Sequence, residues 1–165
     1  MGKKRGKMIT TSDYIQFREP THDEFIANIA KAVRHEYENY HKHVPAEEVE
    51  QMVSNFPEEL WEEKCAAYCT EDGKSMCVMT PNKDGSQYMY SLFVDEAERN
   101  KGIGSALTVH AVNNSPKGVS LHVNTKNEGA QRLYRRLHFK PYGMQMPERE
   151  IFMATRPGLG GKENW

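Results

Sequence analysis

Polar and apolar positions alternate through DYIQFR, residues 13–18, and predict a short strand. PTHDEF supplies turn and capping residues before IANIAKAVRHEYENY, whose apolar positions Ile26, Ile29, Ala30 and Val33 have helical spacing. After Pro45, AEEVEQMVSNF carries Val49, Met52 and Val53 on one side and predicts a second helix, with a separate turn or helix starting at Pro57 in PEELWEE. CAAYCT, SMCVMT and QYMYSLFV, joined by EDGK and PNKDG, predict a three-stranded antiparallel meander. A loop, DEAERNKGIG, leads into the helix GSALTVHAVNN, closed by Pro116 and followed by the apolar strand VSLHV. NTKNEGAQRLYRRLHF predicts a last helix with Ala130, Leu133, Tyr134 and Leu137 on one stripe, and REIFMAT a last strand. This order describes an α+β domain, a mixed sheet with a crossover and helices on its faces.

A length of 165 residues suits one domain, read as residues 13–155 between a basic arm, 1–12, and a tail, 156–165. With 38% apolar residues, 27% charged residues and a net charge of -1, the chain has no general pull toward nucleic acid or membrane. No apolar run is long enough to cross a bilayer and no apolar stretch follows the basic start, so the expected location is cytoplasmic. Lys3, Lys4, Arg5 and Lys7 lack the aromatic companions of a nucleic-acid site. Cys65, Cys69 and Cys77 have no CxxC spacing and fall in strand-like stretches, which predicts reduced, buried thiols. His35, His41 and His43 read as a solvated helix end ahead of metal ligands, and no metal is expected.

RNKGIGSAL, residues 99–107, sets two glycines at the start of an apolar helix. A loop that leaves a strand and opens a helix points unpaired N–H groups outward at the positive end of the helix dipole, which suits an anion. Gly102 and Gly104 remove Cβ atoms that would hold a pyrophosphate away, while Arg99 and Lys101 add charge. Lys101 precedes the first glycine, so the Walker spacing is absent, and Leu107 stands where a dinucleotide fingerprint has a small residue. Glycine spacing alone leaves open a diphosphate site and an ordinary helix entry. Asn127, Ala130 and Tyr134, spaced by three and four, are read as sharing one face of the next helix, with room for a slender chain.

With these two motifs the sequence resembles the GNAT superfamily of acyl-CoA N-acyltransferases. Arg99-Asn100-Lys101-Gly102-Ile103-Gly104 matches the family's Arg/Gln-x-x-Gly-x-Gly/Ala loop, and NEGAQRLY its Asn-x-x-Ala-x-x-x-Tyr helix. The likeness runs from about Gln87 to Tyr142, and the strand, two helices and meander before it have the family's order. The resemblance implies a mostly antiparallel sheet of about six to seven strands, split between strands four and five to hold a pantetheine arm. It implies acetyl-CoA as cosubstrate, direct transfer to an amine, and neither a metal nor a covalent enzyme intermediate. The amides from Arg99 through Asn100, Lys101, Gly102, Ile103 and Gly104 to Ser105 would hold the pyrophosphate, and Leu92, Phe93 and Val94 would run beside the pantetheine. The N–H of Leu92 or Phe93 would polarise the thioester carbonyl, Asn127 and Ala130 would flank the arm, and Tyr134 would protonate the departing thiolate. Arg135 and Arg136 are read equally as contacts to the 3′-phosphate or as a solvated helix end.

The sequence departs from that family at the base. Many members carry a glutamate on the strand before the loop, whereas QYMYSLFV has no carboxylate and Tyr90 holds the nearest place. The base is unassigned: His122 is read first as structural, and Glu36, Glu38 and Asp95 are further candidates. His138 replaces the usual glycine at the helix end, a cost to stability. From Glu36 to Asp72 there are eleven acids against two lysines, a net -9 that leaves +8 elsewhere. This acidic region, which the resemblance lays over the acceptor, would attract a cationic small molecule or protein amine, although glutamates coating exposed helices account for the same count. Tyr37, Tyr40, Phe56 and Trp61 are read as core more than as pocket lining. A homodimer is an option the resemblance carries, and the alternative function is a catalytically weak acyl-CoA-binding regulatory module.

Overall fold

In chain order the elements are β1 (Phe17–Arg18), α1 (His22–Tyr40), α2 (Ala46–Glu62), β2 (Ala66–Thr70), β3 (Met76–Pro81), β4 (Gln87–Phe93), α3 (Ile103–Asn113), β5 (Val119–Asn124), α4 (Glu128–Arg136), β6 (Lys140–Pro141) and β7 (Glu150–Ala154). The computed structural model describes residues 15–141 and 150–155; the basic arm 1–12 and the tail 156–165 lie outside the described residues. The strands form one sheet in the order β1-β2-β3-β4-β5-β7-β6. Every neighbouring pair is antiparallel except β4 and β5, which run parallel because α3 crosses over between them. The α+β class with a mixed, mostly antiparallel sheet is thus the observed one.

Alternation divides the strand residues between two layers. Ala67, Cys69, Met76 and Val78 pack with Phe25 and Ile29 of α1 and Leu60 of α2. Cys77, Met79, Met89, Leu121 and Val123 turn the other way, against Leu107, Ala111 and Val112 of α3 and Tyr134 of α4. Cys69 and Cys77 are buried and Cys65 is half-buried, all three as free thiols; burial pushes the Cys77 thiol up to about 12.

Helix α1 starts earlier than its apolar spacing suggested, because its cap is Thr21. The Thr21 hydroxyl accepts from the Glu24 N–H at 3.2 Å, and Glu24 Oε1 accepts from the Thr21 N–H at 2.9 Å, a reciprocal box that draws Asp23 to Phe25 into the helix. The expected break at Pro57 does not occur: α2 runs through it. Proline removes one helical hydrogen bond, and burial of Pro57 and of Leu60, 2% exposed in the α1 layer, opposes that loss. The first strand is shorter than DYIQFR, β6 and a 3-10 turn at Glu96–Glu98 were unexpected, and α4 spans fewer residues than NTKNEGAQRLYRRLHF. His138 takes φ +68, in the left-handed region that usually favours glycine, as its helix-end position predicted.

Two polar ties fix α1 to the sheet. Asn28, 2% exposed, donates through Nδ2 to Glu24 O at 2.9 Å and to Gly73 O in the β2–β3 turn at 2.7 Å. Arg18 of β1 grips Glu24 with two bonds of 2.8 Å. That guanidinium holds the Glu24 carboxyl well below the usual carboxylate range, at about 2. The folded chain therefore favours the ionised form, and its stabilising contribution is complete above the ordinary carboxylate range and lost as pH falls toward 2. The stability gap between wild type and Glu24→Gln, read from urea midpoints, should be constant near neutral pH and shrink steadily between about pH 4.5 and 2.

Candidate active site

Only two rungs join β4 to β5, Gln87↔Val119 and Tyr88↔Ser120, and the Gln87 N–H donates to Gly118 O at 3.0 Å. Past Tyr88 the ladder stops, while β5 remains paired with β7 through Asn124. Two parallel strands that part in this way leave backbone groups without sheet partners along the gap. A cleft of about 870 Å³ occupies the gap, walled by β4, β5, α1, the start of α3 and α4. On β4 the register passes from Met79↔Met89 to Val78↔Ser91, so Tyr90 is an extra, bulged residue; it is 45% exposed.

The glycine loop closes one end of this cleft. Asn100 and Gly102 have φ +65 and +83, and the Ala106 N–H makes its helical bond to Gly102 O. The preceding N–H groups, of Ile103, Gly104 and Ser105, lie in the first turn, where no helical acceptor exists. A Cβ on Gly102 would meet nothing within 4 Å, so its glycine answers to backbone conformation and leaves open space beside those donors. A Cβ on Gly104 would meet Val94 Cγ2 and Leu133 Cδ2 at 3.5 and 3.6 Å, ordinary van der Waals contact on the β4 and α4 side.

The two loop cations are partly engaged by the protein itself. Arg99 Nε donates to Val94 O at 3.1 Å, with its guanidinium carbon 5.7 Å from the Phe93 ring centre, and Lys101 Nζ lies 2.8 Å from Glu98 Oε2. Leu92, Phe93, Val94, Arg99, Asn100, Gly102, Ile103, Gly104 and Ser105 all line the cleft, as do Asn127, Ala130, Tyr134 and Arg136; Lys101 does not. Asn127 stands at the N-cap of α4 and not on its helical face, because its Oδ1 accepts from the Ala130 N–H at 3.1 Å. Tyr134 is 7% exposed, its Oη 4.0 Å from Met89 Sδ, and burial pushes its phenol above the ordinary tyrosine range.

The α1 and α2 side of the cleft is aromatic. Tyr37 and Tyr40 of α1 and Phe56 of α2 line it, against the reading of these rings as core, and the Phe56 ring lies 5.6 Å from that of Tyr90. Phe56 and Trp61 also pack against the Phe25–Leu60 core, Trp61 edge-on against Phe25 at 5.2 Å and away from the cleft lining. Of the eleven acids counted in the sequence, Glu36 reaches the cleft, 3.3 Å from His41 Nε2, while Glu50 and Glu58 pair with Arg34 and His22 on outer faces. Glu38 and Asp95, candidate bases, stand outside the lining. His122 does line it: the side chain is exposed, its ring 4.9 Å from Phe152 and its Nδ1 2.7 Å from Tyr88 Oη. Sequence reasoning missed Tyr88, whose only signal was its parity on β4.

Comparison with known proteins agrees with this geometry. The family model described as an acetyltransferase (GNAT) domain matches residues 62–141, just under half the chain. No curated protein matches. Among solved structures, the PaiA N-acetyltransferase of Thermoplasma acidophilum in complex with coenzyme A is 12% identical with a TM-score of 0.67, covering 86% of this chain and 98% of that one. A GNAT-family acetyltransferase of Staphylococcus aureus Mu50 is 13% identical with a TM-score of 0.62, covering 85% and 97%, and a protein of Pyrococcus horikoshii OT3 is 20% identical with a TM-score of 0.63, covering 88% and 99%. At these identities the likeness concerns the fold. Residues 62–141, which hold the split, the glycine loop and the helix behind it, match the GNAT acetyltransferase domain model, and the described chain has the fold of these acetyltransferases.

Proposed function

We propose that this protein is an acetyl-CoA-dependent N-acetyltransferase that transfers the acetyl group directly to a primary amine of a cationic small molecule or protein. One observation carries the reading: a parallel pair with two rungs opens into a cleft that ends at three first-turn N–H groups without helical acceptors. That cleft suits a long ligand with an anionic end, and the open space at Gly102 lets phosphate oxygens approach the donors. Acetyl-CoA would supply the activated acyl group, and the chain would hold it and manage protons.

Backbone alternation favours Leu92 over Phe93 as the donor to the thioester carbonyl. The Gln87 N–H faces β5, and the extra residue at Tyr90 shifts the alternation by one, so Leu92 and Val94 would direct their N–H groups into the split while Phe93 faces β3. Such a donor stabilises the oxyanion that forms when the amine attacks. Asn127 uses its carbonyl oxygen in the helix cap, which leaves its amide NH2 as the group for the pantetheine. Tyr134, neutral at working pH, would give its proton to the thiolate. The aromatic α1 and α2 side with Glu36 suits a cationic acceptor through ring faces and a carboxylate.

Calorimetric titration with acetyl-CoA tests the reading, using Gly102→Asp and Gly102→Asn as a pair. Both residues tolerate the left-handed backbone, and only the first adds negative charge at the phosphate site. Saturable binding is expected for wild type and Gly102→Asn, with affinity lower by about tenfold or more in Gly102→Asp. Failure of the folded wild type to bind acetyl-CoA overturns the proposal; binding without amine-dependent thiol release turns it toward the regulatory module.

A further inference from the structure

The cleft contains a hydrogen-bonded tyrosine–histidine pair that the sequence motifs do not name. Tyr88 stands on the last rung between β4 and β5, and His122 lies two residues beyond its rung partner Ser120. Met89 on β4 and Leu121 and Val123 on β5 are packed in the α3/α4 layer, so alternation turns Tyr88 and His122 to the opposite face, toward α1 and α2. There the two side chains meet across the opening strands, Oη to Nδ1 at 2.7 Å, at the closed end of the split.

The surroundings suit a proton taken from a cation. Tyr90 of β4 has its ring 6.4 Å from that of Tyr88, and β7 contributes the Phe152 ring against His122 and the Glu150 carboxylate, whose charge acts on Tyr88. Glu150 and Glu36 are carboxylates of the cleft wall, and Glu98 and Arg99 lie at its loop end. Tyr134, the candidate acid, reaches the split from the α3/α4 layer. Acid and pair therefore approach the gap from opposite faces of the sheet, the arrangement needed when an amine arrives on one side of a thioester and a thiolate leaves on the other.

Resting on the acetyltransferase reading, we propose that Tyr88 and His122 act together as the base, Tyr88 receiving the proton and His122 positioned behind it to store it. The Tyr88 oxygen accepts a proton from the acceptor ammonium, through one water, as its own hydrogen passes to His122 Nδ1. The freed amine forms the C–N bond, the C–S bond breaks with its electron pair on sulfur, and the thiolate takes the Tyr134 proton. The proton shed by the new amide nitrogen restores Tyr134 through solvent, and the imidazolium returns its proton to water. One proton is released per turnover, and no other reactant is required.

Two measurements test the proposal. Nitrogen-detected NMR on the free protein should find neutral His122 with hydrogen on Nε2 and Nδ1 accepting, and Tyr88→Phe should disturb that preference. A neutral wild-type His122 protonated on Nδ1 overturns the proposal without any need for an acceptor. In thiol-release assays with spermidine and phenethylamine, wild-type kcat/KM should fall on the acid side as an imidazole protonates, while His122→Gln should lose that limb and about 10²-fold in kcat with the acetyl-CoA KM unchanged. A His122→Gln enzyme that keeps the limb and the rate overturns this proposal alone. Absence of acetyl-CoA binding in the calorimeter overturns the acetyltransferase reading and this proposal with it.

Discussion

Tyr134→Phe is expected to lower kcat for amine-dependent thiol release by about 10²-fold or more while leaving acetyl-CoA affinity within about threefold. The phenol is 7% exposed, and among the described residues its hydrogen-bond contact is to Met89 Sδ at 4.0 Å, a weak acceptor. Removing the hydroxyl therefore leaves the ring packing on Phe139, at 5.4 Å between centres, and the fold intact. What disappears is a proton held in reserve: burial raises the phenol above its ordinary range, so it is neutral throughout the working pH span and can donate to a thiolate as one forms. Calorimetry and single-turnover rates separate the two effects. An unchanged rate would remove Tyr134 from the chemistry and reduce it to a packing residue.

Phe25→Ala is expected to destabilise the protein by about 3–5 kcal/mol, seen as a lower urea midpoint with little change in slope. Phe25 is 1% exposed and packs edge-on against Trp61, in the cluster that joins α1, α2 and the β2–β3 face of the sheet. The cavity left there cannot collapse easily, because sheet and helices hold it on three sides. Its effect should extend to the site, since α1 carries Glu36, Tyr37 and Tyr40 into the cleft while the glycine loop is built on other elements. The acceptor KM should thus rise more than the acetyl-CoA KM, under conditions where the variant is still folded. Equal rises in both would mean that α1 does not shape the acceptor end.

Local pattern was enough for much of this molecule. The meander from Ala66 to Phe93, the α3 crossover and β5 followed from alternation, Asp-Gly turns and helical spacing, signals confined to a few residues each. The glycine loop and the Asn127-to-Tyr134 stretch were equally legible, because a motif at fixed spacing is itself a local object. Readings that failed did so where a distant partner decided the outcome. Pro57 was taken as the start of a separate turn or helix, and burial carried the helix through it.

By itself, then, the sequence determined the order of elements, the α+β class, the glycine-containing loop that opens α3 and the family likeness, since each depends on neighbours along the chain. The tertiary structure alone decided which rings line the cleft, bringing Tyr37, Tyr40 and Phe56 to it and leaving Trp61 against Phe25. It also brought Tyr88 and His122, thirty-four residues apart, to 2.7 Å. The physical reason is that alternation assigns a side chain to one of two faces, and what stands against that face depends on strand order, register and the point where the β4–β5 ladder ends.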